Sequence, residues 1–246
     1  PYTLGLVLLP FSAEMAARHD DEALSKTLTG AIRVLSLLFL PVTLGLMVLR
    51  VPFIQLLLER GAFTAASTQL TAGPLLFYAL ALLPFSLEVI VIQFYFARQD
   101  TLTPVIADIL TFILNVVLIP PLMAVFALGG IALAIAVAKA VKVLALLAIF
   151  GRRVPTFRLA SLWPFAGQVA LASLTTAIVL AAWSLLGQNL AERQGLIALL
   201  VYLAGAALLG GGAFFLTSYL LNVDEVRYLP RRAWAWGVDK VQRSPQ

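Results

Sequence analysis

The chain of 246 residues has no cysteine, a single histidine, and few charged residues, which make up only 12% of the sequence. Without cysteine, neither a disulfide framework nor thiolate chemistry is available, and one histidine leaves little scope for a histidine-based metal site. Soluble domains carry about 25% charged residues. The low charge content therefore excludes an ordinary water-soluble protein.

Patterns that mark enzymes are also missing from the sequence. It has no Gly-rich phosphate loop, no HExxH metal motif and no GxSxG nucleophile elbow. The run His19-Asp20-Asp21-Glu22 contains potential metal ligands, but without a second histidine we interpret it as a solvated polar connector. A membrane-bound transferase or hydrolase would need paired acids or a His/Asp dyad, and only His19 with Asp20 is available. We expect no cofactor and no enzymatic activity.

What the sequence does have is a series of long apolar runs. Hydrophobic residues make up 61% of the chain, and the mean hydropathy is +0.98. A hydrocarbon core of about 30 Å needs about 20 apolar residues in a helix. Runs of this kind occupy 31–49, 72–97, 104–122, 128–150, 164–186 and 196–221. The predicted fold class is an all-α, polytopic transmembrane bundle of about six full spans.

A further apolar run, 1–9, is too short to cross a membrane. The chain opens at Pro1 inside this run, and neither a basic n-region nor a small-residue cleavage site marks a signal peptide. We interpret the run as the truncated end of an additional helix.

Lysines and arginines are divided unevenly between the connections. Of the 17, only Arg50, Arg60 and Arg193 fall in one set of alternate connections. The richer set contains Arg18, Lys26, Arg33, Arg98, Arg152, Arg153, Arg158, Arg227, Arg231, Arg232, Lys240 and Arg243. By the positive-inside rule the richer set is cytoplasmic, which puts the C-terminus in the cytoplasm and the connection 50–71 outside. The basic charge is explained by topology, so nucleic acid is not an expected partner.

Several polar side chains lie within the predicted spans. They are Glu88, Asp108, Thr111, Asn115, Lys139 and Lys142. Lys139 and Lys142 share one helix face, and the three polar residues from Asp108 onward form a comparable stripe. A charge at mid-membrane costs at least about 2.5 kcal/mol and is usually paired or faces water. Two interpretations stay open: a structural salt bridge of Glu88 or Asp108 with a lysine, or a set of residues that lines a hydrophilic path.

Proline falls near the middle of two predicted spans, at Pro41 and Pro84. Proline removes one backbone hydrogen bond and kinks a helix. We expect a kink at both positions, which is either a static bend or a hinge.

Five motifs are informative together: Leu8-Leu9-Pro10-Phe11-Ser12, the Leu40-Pro41 span, Glu59-Arg60-Gly61-Ala62-Phe63-Thr64, Tyr78-Ala79-Leu80, and Phe94-Tyr95-Phe96-Ala97-Arg98-Gln99-Asp100-Thr101-Leu102-Thr103-Pro104. Their combination resembles the C-terminal part of the MurJ/MviN family, the lipid II flippases of bacterial peptidoglycan synthesis. The last motif is the most specific. The motif positions we single out are Gly61, Phe63, Thr64, Tyr95, Arg98, Asp100, Thr103 and Pro104.

The resemblance implies a MATE-like flippase in which two lobes give alternating access to the two membrane faces. It divides the chain into a partial second lobe (1–158), two additional transmembrane helices that form a groove for a polyprenyl tail (159–223), and a cytoplasmic basic tail (224–246). The implied partners are membrane lipids, the undecaprenyl-linked peptidoglycan precursor, and an N-terminal lobe of the same protein. The implied location is the bacterial cytoplasmic membrane.

One position departs from the resemblance. In the span 72–97, where a basic residue is expected, this chain has Glu88, and we hypothesise that Lys139 and Lys142 compensate. Exporters of lipid-linked O-antigen, of exopolysaccharide or of drugs share the architecture and remain the alternative. The motif from Arg98 to Pro104 favours the peptidoglycan precursor. A purely structural membrane subunit also stays open.

Overall fold

The computed structural model describes residues 2–186, 196–223 and 226. This part of the chain forms nine α-helices and one short 3-10 helix, Leu159–Leu162. The α-helices are α1 (Tyr2–Ala17), α2 (Asp21–Val48), α3 (Arg50–Leu58), α4 (Ala65–Leu80), α5 (Leu82–Ala97), α6 (Leu102–Phe126), α7 (Leu128–Arg153), α8 (Trp163–Leu186) and α9 (Leu196–Leu220). No strand occurs in the described ranges.

Six helical segments of the described chain are long and apolar enough to cross a membrane. They are Asp21–Val48, Ala65–Ala97, Leu102–Phe126, Leu128–Arg153, Leu159–Leu186 and Leu196–Leu220. Each contains most of one predicted span, so the prediction of an all-α, multi-pass membrane protein is confirmed. Large apolar side chains such as Leu110, Phe112 and Val117 on α6 are exposed, as is usual for a membrane-spanning helix.

The helix ends differ from the apolar runs that predicted them. α2 begins at Asp21, well before the predicted start at 31, and the Asp20 carboxylate caps it by accepting from the Ala23 backbone N–H at 2.9 Å. Acidic residues in its first turn, Asp21 and Glu22, are stabilised by the positive end of the helix dipole. Hydropathy detects the apolar part of a helix only, so this polar first section was not predicted.

The connection predicted at 50–71 contains more structure than expected. The short helix α3 occupies its first half, and α4 begins directly after Thr64. Gly61 lies between them with φ at +62°, a conformation that favours glycine. The Thr68 hydroxyl donates to the Glu59 carboxylate at 2.6 Å and holds the two helices together across the turn.

The predicted span 72–97 is broken near its middle. α4 ends at Leu80 and α5 begins at Leu82, with the Ala81 N–H donating to the Tyr78 carbonyl at 3.0 Å. Pro84 has no N–H, so it cannot donate to the carbonyl of Leu80 as a helical residue would. The proline effect is therefore visible here, whereas α2 continues through Pro41 without interruption.

The main core joins α2, α5 and α7. Leu24 and Leu28 of α2 pack with Tyr95 of α5 and Phe150 of α7, and all four are buried. The Tyr95 and Phe150 rings meet edge to face with centroids 5.9 Å apart, and the Tyr95 hydroxyl donates to the Leu146 carbonyl at 2.7 Å. These contacts bring the start of α2 and the ends of α5 and α7 together at one end of the bundle.

Helices α8 and α9 pack against each other, and α8 also packs against α2. Glycine allows the close approach: a Cβ on Gly205 would lie 2.8 Å from the Trp183 ring, and one on Gly210 would lie 3.0 Å from Leu180. The Trp183 indole N–H donates to the Tyr202 carbonyl at 3.2 Å. The predicted tail, 224–246, lies outside the described residues apart from Val226.

Candidate functional site

Three neighbouring helices bring four charged side chains together inside the bundle. α5 carries Glu88, α6 carries Asp108, and α7 carries Lys139 and Lys142. We call these four residues the charge cluster. α6 and α7 form a tight helical hairpin that turns at Ala127, and this hairpin sets the α6 acid beside α7.

The hairpin is tight because two glycines, Gly129 and Gly130, follow the first residue of α7. A Cβ on Gly130 would lie 2.3 Å from the backbone carbonyl of Leu122, and one on Gly129 would lie 2.7 Å from the Phe77 ring. No side chain can be placed at the first of these positions without moving the backbone of α6. The two helices are therefore held close together at the turn, and they pack against each other.

Lys142 is the centre of the charge cluster. Its side chain is fully buried, at 0% exposure, and its ammonium donates to the Glu88 carboxylate at 2.5 Å. The same ammonium also donates to Asp108. One lysine on α7 thus pairs with an acid on each of the two neighbouring helices, and the cluster ties three helices together.

Lys139 lies one turn earlier on α7 and is less enclosed. Its ammonium is 2.8 Å from each oxygen of the Glu88 carboxylate, and its side chain is 22% exposed. It also lies 5.0 Å from the centroid of the Phe85 ring, which is a cation–π contact. Glu88 therefore accepts from both lysines and is itself only 9% exposed.

The charge cluster is electrically balanced, with two ammonium groups and two carboxylates. Glu88 and Lys142 form its closed core, whereas the side chain of Asp108 is 55% exposed. A balanced, hydrogen-bonded cluster meets the requirement that charges inside a membrane be paired. Its ion pairs join α5, α6 and α7.

Two predicted residues of the same stripe stay outside these ion pairs. The Thr111 hydroxyl donates to the Ala107 carbonyl of its own helix at 2.6 Å, a common arrangement for threonine in a helix. Asn115, one turn further along α6, takes no part in the ion pairs and is half-buried. Of the three residues in the predicted stripe on α6, Asp108 is the one that pairs with a lysine.

The most specific motif forms a second polar site, at the end of the bundle predicted to be cytoplasmic. Arg98 donates to the Asp21 carboxylate of α2 at 2.8 Å. Asp100 accepts from the Thr103 N–H at 3.0 Å and from the Thr103 hydroxyl at 2.6 Å, which caps the start of α6. Pro104 follows in the first turn of α6, where a missing N–H costs nothing.

Asp100 also pairs with Arg153 from the last turn of α7. Burial by itself raises the pKa of the Asp100 carboxyl, but the hydrogen bonds from Thr103 and Arg153 outweigh burial, and its pKa is lowered from the ordinary value of 3.8. Thr156, just after α7, donates to the Asp21 carbonyl at 2.9 Å. The connections that follow α1, α5 and α7 thus meet at one end of the bundle.

The remaining motif positions lie at the opposite end. Gly61 supplies the positive φ of the turn, the Phe63 N–H donates to the Arg60 carbonyl at 3.2 Å, and the Thr64 hydroxyl is 3.4 Å from that of Ser67. These contacts are local. They shape the connection between α3 and α4.

Three contributors were not singled out from the sequence. Phe85 carries no signal, because an aromatic residue in an apolar span is ordinary. Asp21 was grouped with a polar connector and Arg153 with the topology charges, although each pairs with a motif residue. The signal available in the sequence was that Asp21 and Arg153 are charged residues next to helix ends, where each can pair with a residue of another connection. In the described ranges no group of three or more His, Cys, Asp or Glu residues could hold a metal ion.

Comparison with known proteins identifies relatives over most of the chain. The family model described as lipid II flippase MurJ matches residues 2–211. A probable lipid II flippase MurJ from Bdellovibrio bacteriovorus is 28% identical over 229 residues, which cover 93% of this chain and 43% of the relative. Another from Vibrio cholerae is 34% identical over 115 residues, 47% of this chain and 22% of the relative. The chain spans less than half the length of these relatives.

A solved structure titled lipid II flippase MurJ, inward closed conformation, has a similar fold. The TM-score is 0.68 at 23% sequence identity, over 90% of this chain and 43% of the solved chain. At this level of identity the likeness establishes the fold alone.

Proposed function

Since the chain belongs to the lipid II flippase MurJ family, we propose that it is part of a transporter that moves the lipid-linked peptidoglycan precursor, lipid II, across the bacterial cytoplasmic membrane. The observation that carries this proposal is the family match over residues 2–211. Transport of this kind makes and breaks no covalent bond, so the protein is a flippase and not an enzyme.

The chain supplies the C-terminal part of the transporter. Residues 1–158 belong to the second lobe, 159–223 to two additional helices, and 224–246 to a basic tail in the cytoplasm. The undecaprenyl carrier of the precursor and the N-terminal lobe of the same protein are its partners. Export of other lipid-linked sugars or of drugs uses similar architectures, and the family match favours lipid II over them.

Within this function the charge cluster has two parts. Glu88 and Lys142 hold α5 to α7, because both side chains are almost completely enclosed. Lys139 and Asp108 are the members with exposed surface, and we assign them to a hydrophilic path. If Asp108 lines a hydrophilic path, water or protein must lie next to its side chain, since lipid cannot solvate a half-exposed carboxylate at this depth.

The test uses the full-length protein with Lys139→Ala, Lys142→Ala and the control Lys26→Ala, whose lysine is exposed near the start of α2. Lipid II flipping in reconstituted vesicles and growth of cells that depend on the variant are measured, with membrane protein level as the check on folding. We expect Lys139→Ala to accumulate normally and lose flipping, and Lys142→Ala to lose both. If both variants flip and grow like the control, the cluster has no part in transport.

A further inference from the structure

A small cavity opens at the end of the bundle where the three connections meet. Its volume is about 190 Å³, and it is lined by Tyr95, Arg98, Asp100, Phe150 and Arg153. A cavity needs roughly 10–15 Å³ of such volume to hold one water molecule. The space is therefore large enough for a group of several atoms, and it is separate from the charge cluster.

The cavity has unused hydrogen-bond donors. A guanidinium has five N–H donors, and the structure gives Arg98 one such contact, to Asp21, and Arg153 one, to Asp100. Among the described residues that line the cavity, Asp100 is the only acid, and it already accepts from Thr103 and Arg153. The ligand that these walls fit is consequently an anion with several acceptor oxygens.

The charges around the cavity favour an anion as well. Arg152 and Arg158 belong to the same end of the bundle and are exposed. With Arg18, Lys26, Arg98 and Arg153 they make six described basic side chains at this end, against the five acids Glu14, Asp20, Asp21, Glu22 and Asp100. The described lining itself has two arginines against one acid, so it has an excess of positive charge.

The level of the cavity in the membrane indicates where the anion comes from. Arg98 and Asp100 lie between the spans that end at Ala97 and begin at Leu102, and Arg153 is the last residue of its span. Lipid head groups are found at this level. Basic pockets between transmembrane helices on the cytoplasmic side of a membrane are known to bind phosphate-containing head groups.

We propose that this cavity binds the phosphodiester head group of an anionic phospholipid, with Arg98 and Arg153 as its donors and Tyr95 and Phe150 as its apolar wall. The bound lipid would bridge α5 and α7 at the point where their connections are joined by ion pairs. The proposal stands apart from lipid II transport, because the cavity and the charge cluster share no residue.

The experiment measures lipid retention by the full-length protein after delipidation, using native mass spectrometry with added phosphatidylglycerol, phosphatidylcholine or inorganic phosphate. The test variant is Arg98→Gln with Arg153→Gln. The control is Arg18→Gln, which changes an exposed arginine at the same end of the bundle that does not line the cavity. At about 1 kcal/mol for each arginine near a lipid surface, we expect the double variant to bind phosphatidylglycerol about 30-fold more weakly and the control to bind it normally.

Equal affinity of the double variant and the control would overturn the proposal. So would tight binding of inorganic phosphate without preference for the lipid, since the source would then be free phosphate. If the double variant does not fold, photo-crosslinking of a phosphatidylglycerol probe to the wild-type protein tests whether the lipid binds at this cavity. Crosslinks in the peptides around Arg98 and Arg153 support the site, and crosslinks confined to other helices refute it.

Discussion

The ammonium of Lys142 lies 2.5 Å from the Glu88 carboxylate and donates to Asp108 as well, so a single enclosed lysine joins three helices. Its side chain has 0% exposure, which means that water cannot replace either partner. The stability of this part of the bundle consequently depends on one side chain.

Replacing this lysine should destabilise the protein strongly. Lys142→Met keeps the approximate length of the side chain but removes one of the two lysines that pair with the enclosed Glu88 carboxylate. Breaking a buried pair from one side costs at most about 3 to 5 kcal/mol, and the half-exposed Asp108 also loses its ion pair. We expect a marked fall in the thermal unfolding midpoint in detergent. Lys26→Met removes an exposed pair with Glu22 and should leave the midpoint unchanged. Equal midpoints for the two variants would contradict the role of Lys142.

The two lysines should be coupled unequally to Glu88. Contacting groups show coupling free energies of about 0.5 to 3 kcal/mol in double-mutant cycles. We expect the Glu88→Gln and Lys142→Met cycle to fall near the top of that range. The cycle with Lys139→Met should fall near the bottom, because Lys139 is 22% exposed and is partly solvated. A larger coupling for Lys139 would reverse our assignment of the closed core.

The α6–α7 hairpin should not tolerate a methyl group at its closest point. Gly130→Ala places a Cβ 2.3 Å from the Leu122 backbone, and overpacking of this kind typically costs about 1 to 3 kcal/mol. Gly73→Ala is the matched control, since a Cβ there meets nothing within 4 Å. Alanine is the better helix former, so the control should unfold at the same temperature as the wild type or higher. Equal unfolding temperatures for Gly130→Ala and Gly73→Ala would show that the close contact at Gly130 does not matter for stability.

Acid should weaken the link between α6 and α7 at Asp100. Its folded pKa lies below the ordinary value of 3.8, so the carboxylate contributes stability that is complete above that pH and disappears as the pH falls through the lowered folded value. Asp100→Asn never has this contribution. The difference in unfolding midpoint between wild type and variant should be largest near neutral pH and shrink below about pH 4. A difference that is constant with pH would exclude the ionised carboxylate as its source.

Composition and apolar length were sufficient to predict the spans, because burial in lipid demands a long apolar helix whatever it packs against. The depth of Glu88, Lys139 and Lys142 could also be estimated, since rise per residue is constant. The rotation of each helix about its own axis could not be estimated from the sequence. Whether Asp108 or Asn115 meets a lysine depends on how α6 is turned against α7, and no local sequence pattern reports that rotation.

Two features of the fold escaped prediction for related reasons. The short helix α3 has no length signal, and the polar first section of α2 has no hydropathy signal.

The contact of Arg153 with Asp100 joins residues far apart in sequence, and no local pattern reports such a pair. The motif around Arg98 was informative about family while its physical purpose, joining three connections, became visible only in three dimensions.

The interruption at Ala81 also affects how this segment fits its lipid surroundings. As one straight rod the 33 residues of Ala65–Ala97 would extend about 50 Å, against a hydrocarbon thickness of about 30 Å. A rod of that length has to tilt steeply or thicken the bilayer around it. Dividing it at Ala81 lets each half take its own inclination, which reduces the tilt or the bilayer thickening that a rigid rod would require.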